Sequence, residues 1–446
     1  MKIFQELGSL VEDQWRDRNY SESRFPEIAA EALAQTELAK NGVTPWEIIR
    51  WMHAEPQLPI QHDIEAKFGN PPITLYSGPR FYIDIYFWLD GTTDIHQHGF
   101  AGAFQVMMGS SIHSRYSFRE EQAINEHLLL GQVNLEDVEL LSEGDIRQIV
   151  PGREHIHSLF HLDRPSATIT VRTFGLPSSQ PQYSYRRPYF ALDPFYKEPS
   201  LIRKTQTVTM LLNLRKPEYD NLISDLISAS DFHTTFLILL TTYRMLTDNQ
   251  LERFFHVSTS RDRFNALLEK ARQKHGGLVD YVPPVLEEFE RQEDIVRRRQ
   301  FITSNEHRFF LALLLNVPSR EKMLELVKEE FPESNPIDKV LDWVSELSAT
   351  KVFGSSEPNV LGIGDFKDDH LFVLQCLLEN LSRQQITEAL ERAYPADYAK
   401  VLGGKIDTIS AALRCSVPFK AMFAGSDGGA PAEARAELVS RKRNLL

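Results

Sequence analysis

The chain has 446 residues, 42% of them hydrophobic and 25% charged, with a formal net charge of −13. That length predicts two or three domains, and the composition is that of a globular rather than a disordered protein. The acidic balance argues against general binding to nucleic acid or an anionic membrane, and the one local basic run, "IVRRRQ" (295–300), reads as a solvated helix face.

The N-terminus, "MKIFQELGSLVEDQW", has acids where a signal peptide needs an unbroken apolar core. The longest apolar runs, such as "FFLALLLNV", are about half of what a bilayer span requires. Cys376 and Cys415, the two cysteines, sit in apolar helical contexts and form neither a disulfide framework nor a thiolate metal site. Together these features predict a cytoplasmic protein with no membrane association.

Residues 1–72 read as a helical segment packed on the β-rich region C-terminal to it. In "TPWEIIRWM" Thr44 can cap, Pro45 suits the first turn and Glu47 completes a capping box. "FGNPPITLYSGP" then breaks the pattern. From 73 to 177 the texture is that of short strands between turns. In "RFYIDIYFWLDG" Tyr82, Asp84 and Tyr86 share one face, and Phe81, Ile83, Ile85 and Phe87 share the other. Several such runs in series predict a closed sandwich or barrel. Residues 178–200, rich in proline and without periodicity, read as a wrapping segment or linker.

Residues 201–425 read as a helical domain, and within it the sequence repeats. "EHRFFLALLLNVPSREKMLELVKEEFP" and "DHLFVLQCLLENLSRQQITEALERAYP" align without a gap, matching His307 with His370, Arg320 with Arg383 and Pro332 with Pro395. A looser copy starts at "DFHTTFLILLTTYRMLTDNQLERFF". Helix-pair repeats stack to share a core and often present a binding surface, here for a protein or peptide partner. The paired histidines read as packing or capping residues. The tail, 426–446, reads as flexible. The whole is an α+β multidomain chain: N-terminal helices, a β-barrel, and a large all-α helical-repeat region.

Seven of the fourteen histidines fall between His96 and His161, in two clusters: His96 with His98, and His155, His157 and His161 in "PGREHIHSLFH". On a strand, His-x-His turns both imidazoles to one side, and a third histidine from a neighbouring strand can close a facial triad that leaves open positions on an ion. Neutral imidazole suits Fe(II), with Zn, Ni, Mn or Cu as further candidates. His113 and His127 match no motif and read as surface residues. No phosphate loop, nucleophile elbow, His-Glu-x-x-His or cysteine-rich zinc spacing is present.

Over about 100 residues this region resembles the cupin superfamily, whose barrel is a double-stranded β-helix. Gly91, His96, His98 and Gly109 fit the first cupin motif, and the motif's glutamate falls at Gly102 or Ala103. Gln105 lies an odd number of residues from His98 and is expected to face away. Pro151-Gly152 followed by a histidine resembles the second motif. Three histidines without the glutamate resemble the thiol dioxygenases, the cysteine and 3-mercaptopropionate dioxygenase branch. That register makes His157 the third ligand, with His155 as the alternative ligand and His161 supporting the ligands from behind. It puts Thr170, Arg172 and Phe174 where the branch has serine, histidine and tyrosine. Ala103 stands where the branch has its cross-linking cysteine, so no cross-link can form. Arg172 can clamp a substrate carboxylate or phosphate, or pair with a buried acid such as Asp84. Arg80 lies near the branch's carboxylate-binding arginine but also reads as a surface residue.

The resemblance implies a non-heme Fe(II) three-histidine oxygenase acting with dioxygen on a small polar substrate, thiol- or carboxylate-bearing, with Arg172, Tyr82 and Tyr86 lining the pocket. The alternative is a non-catalytic cupin that senses a metal or ligand and is coupled to a helical protein-interaction domain.

Overall fold

The computed structural model describes residues 1–62, 64, 69–89, 94–175, 181–214, 216–247, 259–352 and 357–423. Gly91, residues 178–180, residues 248–255 of the looser repeat copy and the tail 426–446 lie outside the described residues. The chain divides into two compact units, Met1–Glu290 and Arg291–Leu446. The division falls inside the stretch that the sequence presents as one helical region.

The first unit opens with helices α1 (Lys2–Asp17), α2 (Phe25–Thr36) and α3 (Pro45–Ala54). Phe4, Leu7, Val11 and Trp15 recur at helical spacing and form the buried face of α1. At α3 the capping box is present: the Thr44 hydroxyl accepts from the Glu47 amide at 3.3 Å, and the Glu47 carboxylate accepts from the Thr44 amide at 3.1 Å. Thr44→Ala is expected to cost about 1 kcal/mol, read as a lower melting temperature with unchanged secondary structure.

Eleven described strands follow: β1 (Pro72–Ser77), β2 (Phe81–Trp88), β3 (Ile95–His96), β4 (Gly102–Met108), β5 (Ser111–Asn125), β6 (Leu128–Leu141), β7 (Ile146–Ile149), β8 (Ile156–His161), β9 (Ser166–Thr173), β10 (Ser184–Arg186) and β11 (Phe190–Leu192). Five form an antiparallel sheet in the order β1-β2-β9-β4-β7, and six close into a barrel in the order β10-β11-β6-β5-β8-β3. The closing strands β10 and β11 come from the proline-rich wrapping segment. At three residues each they are too short to show a period.

The five-stranded sheet has two different faces. Phe81, Ile83, Ile85 and Phe87 of β2, with Ala103, Ala167, Ile169 and Val171, join the side chains of α1 and α2 in one core. The alternate residues, Tyr82, Asp84 and Tyr86, are equally buried but face the six-stranded barrel. Ring contacts join the two sheets across this interior: Trp88 stacks on His161 at 4.5 Å, and Phe104 meets His113 at 6.0 Å. Four helices, Pro199–Asn213, Asp220–Ser228, Phe232–Thr247 and Thr259–His275, contribute to a second core with Leu128, Leu130, Phe190 and Leu192 of β6 and β11.

In the second unit the gapless sequence repeat corresponds to two helix pairs, Asn305–Asn316 with Arg320–Glu330, and Asp368–Leu378 with Arg383–Ala393. Ser319 and Ser382 cap the second helix of each pair through their hydroxyls. His370 accepts from the Lys367 amide at 3.2 Å, a capping role, and His307 lies 2.9 Å from Glu346. The basic run 295–300 corrects the reading of a solvated face. Arg298 and Arg299 are buried, the first donating to the Val360 carbonyl at 2.7 Å and Asp294 at 2.6 Å, the second to the Arg308 carbonyl at 3.1 Å. A turn carbonyl, that of Val360, and a first-turn helix carbonyl, that of Arg308, accept these guanidinium protons, so the charge is used inside the unit. Among the described residues no helix is long and apolar enough to cross a membrane.

Candidate metal centre

Two histidines of the predicted triad meet across one strand pair. His96 ends β3 and stands directly opposite His157 of β8. β3 covers only Ile95 and His96, so His98 lies just beyond the strand. Its carbonyl accepts from the Gly152 amide at 2.8 Å, which ties it to the Pro151-Gly152 turn before β8. The ring centroids of His96, His98 and His157 are 4.6, 4.8 and 5.0 Å apart, and one ring nitrogen from each lies within 4.8 Å of the others. All three side chains are buried.

The donor chemistry fits a divalent ion. Burial pushes the His98 and His157 imidazoles well below their ordinary range, and the neighbouring histidines push the same way, with Arg172 adding to the effect on His98. Burial likewise lowers His96, against the opposing pull of Asp94. The three rings therefore stand neutral, as metal ligation requires. His96 Nδ1 donates to the Asp94 carbonyl at 2.7 Å, which places that ring's proton on Nδ1 and makes Nε2 an acceptor. The Nε2 atoms of His98 and His157 are 2.8 Å apart, and both can present lone pairs to that space only when a cation lies there. His98 Nδ1 is buried without a hydrogen-bond partner.

His155 ends a short 3-10 turn, Gly152–His155, rather than sharing the strand with His157, because β8 starts at Ile156. Its ring is 4.6 Å from that of His157, and burial, then His113, His96 and Arg115, push it down to about 3. A second group of three, His113, His155 and His157, also brings its ring nitrogens within 4.8 Å. His161 is fully buried, its Nδ1 shared by the hydroxyls of Ser111 at 3.0 Å and Ser166 at 2.9 Å, its ring on Trp88.

The surface reading of His113 is wrong. It is 1% exposed, its Nε2 lies 3.0 Å from His157 Nδ1, and its Nδ1 lies 2.8 Å from Glu139 Oε1. Ser111, His113 and Arg115 alternate with Ile112 and Tyr116 along β5, and that polar face looks like a solvent face until the barrel interior proves polar. Glu139, half-buried, carries no motif; its place opposite His113 in the β5–β6 register was the signal available. The other presumed surface histidine, His127, is partly buried between Asp193 at 2.9 Å and Glu126 at 3.1 Å, with its ring on Tyr196.

The facing sheet supplies the opposite wall. The Tyr86 hydroxyl donates to Asp84 at 3.0 Å, and burial, then the Asp84 charge, push the phenol well above its ordinary range. Tyr82 packs on His62 at 4.6 Å and on Phe174 at 5.0 Å. Arg172 shares their sheet face, its guanidinium 3.5 Å from the Phe100 ring centroid and 5.1 Å from that of Tyr82. Phe100 in turn lies 4.5 Å from the His98 ring, which connects Arg172 to the cluster. Arg80 is exposed and its guanidinium lies 4.1 Å over Tyr20.

The position of the missing glutamate is explained by backbone packing. Gly102 pairs with Arg172, on the face turned to the histidines, and a Cβ there would come 2.3 Å from the Val171 carbonyl oxygen. Ala103 points the other way, into the core under α1 and α2, and Gln105 also leaves the site, donating to the Gly144 carbonyl at 3.2 Å.

No family model matches the chain, and no curated protein matches it. Among solved structures, hydroquinone 1,2-dioxygenase from Sphingomonas sp. TTNP3 is 13% identical, with 26% of this chain and 72% of that one covered at a TM-score of 0.20. The polyketide cyclase RemF from Streptomyces resistomycificus is 14% identical, covering 32% and 84% at 0.19. The protein TT1209 from Thermus thermophilus is 17% identical, covering 24% and 89% at 0.18. At these scores none of the likenesses bears on function.

Proposed function

We propose that the barrel is a cupin-type, metal-dependent oxygenase centre in which His96, His98 and His157 hold Fe(II). The observation that supports this reading is the convergence of three buried, neutral imidazoles from β3, β8 and the segment between β3 and β4. Bound there, iron would supply the redox chemistry by which dioxygen is used. The chain's own residues hold the ligands, exclude water and orient the substrate. Asp84 and Tyr86 form a hydrogen-bonded pair on the facing sheet, and Arg172, beside Phe100, is the cation suited to a carboxylate or other anionic group on a small polar substrate. The lost cysteine and tyrosine of the thiol dioxygenases, here Ala103 and Phe174, favour a substrate other than cysteine.

Anaerobic purification followed by metal analysis tests the reading. About one iron per chain is expected, with a loss of at least tenfold in occupancy in both His96→Ala and His157→Ala. No transition metal under any reconstitution would sink it. Tightly held metal without oxygen consumption across thiol and carboxylate substrates would favour the sensing protein instead.

A further inference from the structure

His157 is the one ligand whose second nitrogen meets another imidazole. Its Nε2 lies 2.8 Å from His98 Nε2 and its Nδ1 lies 3.0 Å from His113 Nε2. Beyond His113 the contacts continue to the edge of the barrel. His113 Nδ1 is 2.8 Å from Glu139 Oε1, and Glu139 is gripped by Arg147, whose Nε donates to Oε1 at 2.9 Å and whose terminal nitrogen donates to Oε2 at 2.6 Å. The His113 hydrogen bond and then that of Arg147 hold the Glu139 carboxyl well below the usual carboxylate range. β5 lies between β6 and β8, with His113 opposite Glu139 on one side and Leu159 on the other, so the series crosses three adjacent strands.

We propose that Glu139 and His113 are positioning residues that fix the proton of His157 on Nδ1 and thereby aim Nε2, as a bare acceptor, at the ion. The inference rests on reading the histidine cluster as a metal site. An ionised carboxylate can only accept, so His113 Nδ1 donates to Glu139. An ion on His157 Nε2 leaves that ring's proton on Nδ1, where it needs an acceptor. His113 Nε2 is an acceptor only when the His113 proton sits on Nδ1, which is where Glu139 holds it. Both ends of the series therefore demand the same direction of donation, from His157 to His113 to Glu139. Support of this kind sets the tautomer and orientation of a ligating histidine.

The competing use of His157 Nδ1 is as a ligand itself, with His113 and His155, and the two uses exclude each other in a ring that keeps its proton. Zn(II), which is diamagnetic, is the probe. Zn(II) affinity is measured for the wild type, Glu139→Leu, Glu139→Gln, His113→Ala and His155→Ala, with a thermal melt to confirm that each folds. Losing the acceptor in Glu139→Leu, or the middle of the series in His113→Ala, is expected to weaken binding by about 10- to 100-fold. Glu139→Gln keeps an acceptor oxygen and is expected to stay within a few-fold of wild type, as is His155→Ala. Nitrogen-15 spectra of the Zn(II)-loaded wild type are expected to place the His157 proton on Nδ1. Wild-type affinity in Glu139→Leu would overturn the inference. So would two Zn(II) per chain falling to one in His155→Ala. If the wild type binds neither Zn(II) nor iron, the metal reading fails and the inference falls with it, whereas Zn(II) bound with the His157 proton on Nε2 overturns the inference alone.

Discussion

Acidification from about pH 7.5 to about pH 5 is expected to remove roughly 4 kcal/mol from the stability of the metal-free protein through His155 and His161 alone, a sizeable share of what a domain of ordinary stability has. The loss comes from histidines that fold neutral. Burial drives His155 and His161 down to about 3 and lowers His98 and His157 well below 6.5. In the unfolded chain each imidazole titrates near 6.5. The sign follows from proton counting: below 6.5 the unfolded chain binds protons that the folded protein refuses, so stability is complete above that pH and declines as pH falls towards the folded values. At pH 5 His155 and His161 each contribute a loss of about 2 kcal/mol, and His98 and His157 add to it in the same direction. Carboxylates held low in the fold, such as Glu139, enter only below about 4.5, so the window between 6.5 and 5 belongs to the histidines.

Urea unfolding across that window measures the effect, and His161→Gln isolates one member. His161 bonds Ser111 and Ser166 and stacks on Trp88, outside the proposed ligand set, so replacing it should flatten the profile by about 1.4 kcal/mol per pH unit. Stability that is level between pH 6.5 and 5 would contradict the buried neutral cluster. Added Zn(II) should raise stability by a similar amount across this window, because the folded imidazoles are already neutral there and binding displaces no proton.

What the sequence revealed of this site depended on whether the signal was local. His96 and His98 announce themselves by spacing within one segment, and the Thr44 to Glu47 box works within one turn. The alternation of β2 correctly separates Tyr82, Asp84 and Tyr86 from Phe81, Ile83, Ile85 and Phe87, but alternation alone does not say which face is inside. In this barrel both are, one against helices and one against histidines. That ambiguity hid His113, because a polar residue alternating with Ile112 and Tyr116 carries the pattern of a solvent face. Glu139 and Arg147 were illegible for another reason: their meeting depends on the register of β5, β6 and β7, which no stretch of the chain encodes by itself. Arg298 and Arg299 failed similarly, since the carbonyls that receive them come from residues 9 to 62 positions away.

Gly102→Ala is expected to destabilise the barrel by about 3 kcal/mol, seen as a fall of several degrees in melting temperature. The new Cβ would stand 2.3 Å from the Val171 carbonyl oxygen and 3.1 Å from the Arg172 Cα, both backbone atoms that cannot swing aside. β4 and β9 would have to part where their register runs through Gly102 and Arg172. Gly102→Glu, which would place an acid on the face turned to the histidines, is expected to give insoluble protein rather than a further ligand. Ala103→Glu fails differently, by placing a carboxylate in the apolar core with Ile83, Ile85 and Val171. A Gly102→Ala protein that melts with the wild type would refute this account. Of the two positions where a cupin-like glutamate would fall, Gly102 is the inward one, and there β4 comes too close to β9 for any side chain. The same approach sets Gly102 directly opposite Arg172, whose guanidinium lies over Phe100 beside the His98 ring. Beside the histidine cluster this barrel therefore presents a cation, and the acidic partner of the cluster is Glu139, reached through His113.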